Sequence, residues 1–395
     1  MCPSDHFLPY GRQTITEDDI SAVVDALRSP FLTQGPLVPQ FEEIFASKVG
    51  ARYGVAVNSA TSALHLACLA LGLGRGDRLW TSPITFVASA NCGRYCNAEV
   101  DFVDVDLESG LISIDALISK LEYSEKNSTL PKVLVPVHLC GTSCDMSAIY
   151  SLAERYGFAV LEDASHAVGG RYRGVPVGSC SYSSITVFSF HPVKIITTGE
   201  GGLATSNDEQ LVQRMIDLRS HGIVKDHTRF DFSAPGPWSY EQQELGYNYR
   251  MSDLQAALGI SQLQRLDAII SERNRQVDRY RQLLSELPVE FLTVPQSVLS
   301  SFHLAVVRLL DGSPENHLSV FEGMRAAGIG VQLHYTPVHL QPYYRRLGFH
   351  EGQFPSAEQY ARSAISLPLF PGLSDQDQQR VARTLDSLIV LQSHS

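Results

Sequence analysis

The 395-residue sequence contains no run of about 18 apolar residues, so it offers no helix that would span a bilayer, and no membrane is expected as a partner. It also lacks an excess of positive charge. With 31 Lys and Arg against 42 Asp and Glu, the net charge is −11, and nucleic acid held by bulk charge is excluded as a partner. Internal repeats and low-complexity tracts are missing. At 44% hydrophobic and 18% charged residues the composition is that of a globular protein, which removes disorder, collagen and coiled coil. Cysteines are few and odd in number. All seven fall within the first 180 residues and read as reduced, buried thiols, not as a disulfide framework. The spacings Cys92-x3-Cys96 and Cys140-x3-Cys144 are not those of a common zinc knuckle, so no metal is expected. The opening Met1-Cys2-Pro3-Ser4-Asp5-His6 has neither the basic nor the apolar region of a signal peptide, and the expected compartment is the cytoplasm.

What is present is alternation. Strand-like segments at 55–57, 78–81, 99–105, 132–138, 158–163 and 184–190 are interleaved with helical stretches such as 61–71 and 145–156. This is the pattern of an α/β protein with a mostly parallel sheet covered by helices. Asp145 is placed to cap one helix and Gly157 to end it. Ser252-x-x-Gln255 reads as a capping box, opening a helical stretch that runs toward Glu286 and links two domains, 1–265 and 266–395. Beyond it, a strand at 302–309, a helix at 315–326, a strand near Val331 and a closing helix from Ser374 predict a small α+β domain.

Three stretches carry candidate chemistry. Asn58-Ser59-Ala60-Thr61-Ser62-Ala63 joins a strand to an apolar helix, and such a helix start offers free N–H groups and the positive dipole end to a phosphate. The same stretch also reads as an ordinary N-cap. Asp163 sits at the carboxyl end of the 158–163 segment, where ligands collect in open α/β sheets, although a capping or buried carboxylate is an equal reading. Lys194 lies among apolar residues ahead of Thr197-Thr-Gly-Glu-Gly-Gly202. Desolvation there would favour the neutral amine that imine formation requires; a snorkelling surface lysine is the bland alternative.

Taken together the three are more specific. A phosphate cup, an acid 31 residues before a lysine, and Ser189 five residues before it match the phosphate, ring nitrogen and aldehyde of pyridoxal 5′-phosphate.

The sequence resembles the nucleotide-sugar aminotransferases of the DegT/StrS-like family. The resemblance runs through Asn58 to His65, Pro83-Ile-Thr-Phe86-Val-Ala, Glu162-Asp163-Ala-Ser-His166, Ser189-Phe-His-Pro-Val-Lys194, Gly246-Tyr-Asn248-Tyr-Arg250-Met-Ser-Asp253 and His334-Tyr335-x-Pro337. It implies the aspartate aminotransferase fold, fold type I, with pyridoxal 5′-phosphate as cofactor. By that resemblance Lys194 would carry the aldehyde as a Schiff base, Asp163 would hold the pyridinium, and Phe86 would stack on the ring. Ser189 with the backbone of Ala60 and Thr61 would take the phosphate. Asn248 would reach a partner subunit's phosphate across a homodimer interface, Arg250 would pair with a substrate anion, and His334 with Tyr335 would wall the substrate site. For Phe86 a core helix position, for Asn248 a loop position, for Arg250 a structural ion pair and for His334 core packing are the competing readings. Many relatives have Gln where this chain has His166, so its cofactor contact is a point of departure.

Ser165-His166 together with His191-Pro-Val-Lys194 and Thr197-Thr-Gly-Glu-Gly-Gly202 is most similar to the branch that aminates C4 of a UDP-4-keto-6-deoxy-N-acetylhexosamine in pseudaminic acid biosynthesis, with L-glutamate as donor. The alternatives are another acceptor such as a UDP-4-keto-pentose and, farther off, a non-catalytic member of the fold. A related dehydratase branch has histidine in place of the lysine, and Lys194 therefore favours transamination.

Overall fold

The computed structural model describes residues 7–310 and 313–392, so the reading of the first six residues, Cys2 included, lies outside the described residues. Seven strands form the central sheet, in the spatial order Tyr53–Val57, Gly202–Ser206, Ile185–Ser189, Ala159–Asp163, Val133–Val135, Arg78–Thr81 and Glu99–Phe102. Only Gly202–Ser206 is antiparallel to its neighbours, and every other pairing is parallel. Parallel strands need crossover connections, and the helices that make them bury both faces of the sheet. Ile185–Ser189 is accordingly buried along its whole length.

Helix ends follow local chemistry. The Asp145 carboxylate accepts the N–H of Ala148, and Gly157 closes that helix with φ at 74°. Ser252 and Gln255 form the expected capping box. The stretch toward Glu286 is not continuous, however, and divides into Asp253–Leu263 and Leu266–Leu283. At the break the Arg265 guanidinium reaches Asp19, a fully buried carboxylate that also accepts from Ser261 and Gln262. A buried anion needs such partners, and here they come from the residues on either side of the break.

The second of these helices joins two cores. Leu266, Ile269 and Ile270 pack with Phe41, Phe45 and Phe188. Val277, Tyr280 and Leu284 pack over an antiparallel sheet of Val289–Phe291, Ala305–Leu309 and Ala364–Leu367. Leu8 belongs to this second core, its backbone bonded to Gly328 and Gly330. The strand expected near Val331 does not form. Gly330 donates to Leu8 and Gln332 makes a single bridge to Ser366, so the segment is shared between two neighbours and forms no ladder.

The six described cysteines are buried and unpaired. Among the described residues no group of His, Cys, Asp or Glu is arranged to hold a metal, and no helix is long and apolar enough to cross a membrane.

Candidate active site

A cavity of about 700 Å³ opens at the carboxyl ends of the parallel strands. Its floor begins where the strand Tyr53–Val57 ends. Ser59 caps the helix Ala60–Ala70, accepting the N–H of Ser62, and the Ser62 hydroxyl donates to Asn58 at 2.7 Å. The first-turn N–H groups of Ala60 and Thr61 have no acceptor within the helix and point toward an incoming anion. Sheet register brings Ser189 to this cup. Val57 pairs with Gly202, and Gly202 pairs with Ser189 on its other side. Gly202 permits that closeness, since a Cβ there would lie 2.5 Å from the backbone of Ser59 and Ala60.

Asp163 is buried at the end of its strand, and both carboxylate oxygens are held. Oδ2 accepts the Ser89 hydroxyl at 2.6 Å and Oδ1 the N–H of Ser165 at 3.1 Å. Lys194, on the turn after Ser189, shares the cavity. Loss of hydration draws its ammonium down from 10.5 to about 8 against the opposing pull of Asp163. The neutral amine is therefore within reach near physiological pH.

The far wall is aromatic. The N–H of Cys140 donates to Nδ1 of His166 at 3.3 Å, and Nε2 of His166 lies 3.1 Å from the Tyr335 hydroxyl. The His303 ring sits 4.4 Å from that of His166, and His334 Nδ1 lies 2.8 Å from the Ser366 hydroxyl. Burial, reinforced by Lys194, pushes all three imidazoles toward the neutral form; His334 falls to about 3. Phe86 also lines the cavity, its ring 6.3 Å from that of Tyr335. It is 58% exposed and precedes the helix Ala88–Tyr95, so the core-helix reading does not hold.

The cavity thus gathers Ala60, Thr61, Phe86, Asp163, His166, Ser189, Lys194, His334 and Tyr335. Asn248 and Arg250 do not line it. Asn248 is exposed with its backbone bridged to Ser220, and Arg250 is bridged to Val57 beside the cup. Sequence reasoning missed Tyr10, Ser89 and His303. Only Ser89 had a local signal, one helical turn after Phe86.

The sequence profile of the DegT/DnrJ/EryC1/StrS aminotransferase family matches residues 13–386. The chain belongs to that family. It is a pyridoxal 5′-phosphate-dependent nucleotide-sugar aminotransferase of fold type I, as the resemblance implied. The aminotransferase is 39% identical over 390 residues to the spore coat polysaccharide biosynthesis protein SpsC of Bacillus subtilis, covering 97% of each chain. It is 36% identical over 383 residues, again 97% of each, to the UDP-4-amino-4,6-dideoxy-N-acetyl-beta-L-altrosamine transaminase of Campylobacter jejuni. Among solved structures, Helicobacter pylori PseC, an aminotransferase involved in the biosynthesis of pseudoaminic acid, superposes with a TM-score of 0.88 at 29% identity, covering 98% of this chain and 100% of that one.

The residues present fit the cofactor. The Gly202 cradle and the free N–H groups suit a phosphate, the Asp163 carboxylate a ring nitrogen, and the desolvated Lys194 amine an aldehyde.

Proposed function

We propose that this aminotransferase moves an amino group from L-glutamate to C4 of a UDP-4-keto-6-deoxy-N-acetylhexosamine, giving a UDP-4-amino-4,6-dideoxy-N-acetyl sugar of the pseudaminic acid type. The observation that carries the reaction class is Lys194, its pKa drawn down to about 8, sharing one cavity with Asp163 and the phosphate cup. The acceptor reading is supported by the names of the Campylobacter and Helicobacter relatives and by Ser165-His166 taken together with His191-Pro-Val-Lys194 and Thr197-Thr-Gly-Glu-Gly-Gly202.

In this reading Lys194 Nζ would hold the cofactor aldehyde and, freed by the donor amine, would take up on its own nitrogen the proton lost from the donor α-carbon. The Asp163 carboxylate would face the ring nitrogen and hold its proton. Ser189 and the N–H groups of Ala60 and Thr61 would hold the phosphate, and Phe86 would cover a ring face. His166, His334 and Tyr335 wall the acceptor sugar. When bound, pyridoxal phosphate supplies the electron sink that stabilises a carbanion. Asn248 and Arg250, outside the cavity of a single chain, act on the site from a homodimer interface, Asn248 on the partner's phosphate and Arg250 on the diphosphate or donor carboxylate. We take 1–265 as the cofactor domain and 266–395 as the smaller one, and the enzyme as cytoplasmic.

Mass spectrometry of products from glutamate with each candidate acceptor tests the proposal. Amination of the UDP-4-keto-hexosamine supports it, and exclusive amination of a UDP-4-keto-pentose replaces the acceptor. Borohydride trapping should place the cofactor on Lys194. Colour that persists under glutamate would point to a non-catalytic protein.

A further inference from the structure

Ser89 lies outside every motif assigned a role above, yet it makes the shortest contact to Asp163. The helix Ala88–Tyr95 places it in the second helical position, fully buried, with its hydroxyl 2.6 Å from Asp163 Oδ2 and 2.7 Å from the Thr85 hydroxyl. An ionised carboxylate only accepts, so the single Ser89 proton goes to Asp163, and 2.6 Å is the length expected for a hydroxyl donating to an anion. The Ser89 oxygen is then the acceptor for Thr85, and the chain reads Thr85 to Ser89 to Asp163. Its direction is fixed by the anion at its end. Thr85 immediately precedes Phe86, so one short segment both lines the cavity with an aromatic ring and orients the acid beneath it.

We infer that Ser89 is a positioning residue, which with Thr85 fixes the Asp163 carboxylate so that its remaining lone pairs face the ring nitrogen of the cofactor. This rests on the reading of Asp163 as the partner of that nitrogen. A donor on Oδ2 disperses the carboxylate charge and leaves the proton on the ring.

The test compares cofactor binding to wild type, Ser89→Ala and Thr85→Val, using pyridoxal phosphate and its carbocyclic analogue, which has carbon in place of the ring nitrogen. Ser89→Ala removes one oxygen without adding volume, and Thr85→Val is isosteric. The expected result is a Kd for pyridoxal phosphate raised about tenfold in Ser89→Ala and less in Thr85→Val, with the carbocyclic analogue bound equally by all three. The pH dependence of the bound cofactor's absorbance should shift in the same order. An unchanged Kd and pH profile in Ser89→Ala would overturn the inference, and so would equal losses with both cofactors, which is the mark of a purely structural role. Those outcomes leave the function standing if wild type binds pyridoxal phosphate on Lys194; wild type that fails to bind it would sink both.

Discussion

The Tyr335 hydroxyl stands 3.1 Å from Nε2 of His166, and the Cys140 N–H occupies Nδ1 of the same ring. A neutral imidazole has one donor and one acceptor nitrogen, so the backbone contact fixes the tautomer with its hydrogen on Nε2, aimed at the Tyr335 oxygen. The phenol hydrogen is thereby free to point at a ligand in the cavity.

Tyr335→Phe removes that acceptor and leaves the His166 N–H without its partner. The expected cost is about 1 kcal/mol of stability, together with lower turnover. Urea unfolding of the two proteins checks the first, and an unchanged midpoint would mean that water replaces the phenol at no loss.

Lys194→Met abolishes transamination and, in cofactor-free protein, raises stability at neutral pH. The lysine is held near 8 when folded against 10.5 when unfolded, so below pH 8 the folded chain carries a protonated amine in an unfavourable place. The penalty is about 3 kcal/mol and is relieved as pH rises from 8 to 10.5. Melting curves should therefore show the methionine variant ahead at pH 7 and level with wild type near pH 10.5.

Asp163→Asn keeps the shape of the site but removes the charge that holds a proton on the ring nitrogen. Turnover should fall at least about a hundredfold, the size of effect seen when a preorganised electrostatic partner is lost. A rate within a factor of a few of wild type would remove Asp163 from that role.

Glu162 points to the other side of the strand from Asp163. His138 at 2.6 Å, Ser183, and Thr186 at 3.0 Å surround it. Burial alone would raise its carboxyl, but those partners outweigh burial and hold it below its ordinary value of 4.5. Its contribution is thus present above pH 4.5 and lost as pH falls through the lowered folded value. Glu162→Gln should cost about 3 kcal/mol at pH 7, with the gap narrowing in acid. A gap that stays constant down to pH 3 would refute the linkage.

Much of the fold was legible locally. The capping pairs at Asp145 and at Ser252 with Gln255, the Gly157 stop and the apolar runs of buried parallel strands are short-range features, and each strand at 78–81, 158–163 and 184–190 appears within two residues of its predicted place. The break at Arg265 was not legible: there the guanidinium meets Asp19, 246 residues earlier in the chain. The missing strand at Val331 depends in the same way on Leu8.

The sequence by itself determined the chemical identities: a lysine in apolar surroundings, an acid at a strand end and small residues at a helix start, all properties of neighbouring residues. Only the tertiary structure decided their convergence. Register across Gly202 carries Ser189 to the Val57 end, packing brings His303 and Tyr10 to the wall, and Ser89 meets Asp163 across 74 residues. Side-chain period governs which face a residue takes, but strand order and register set which faces meet, and those depend on the whole chain packing at once.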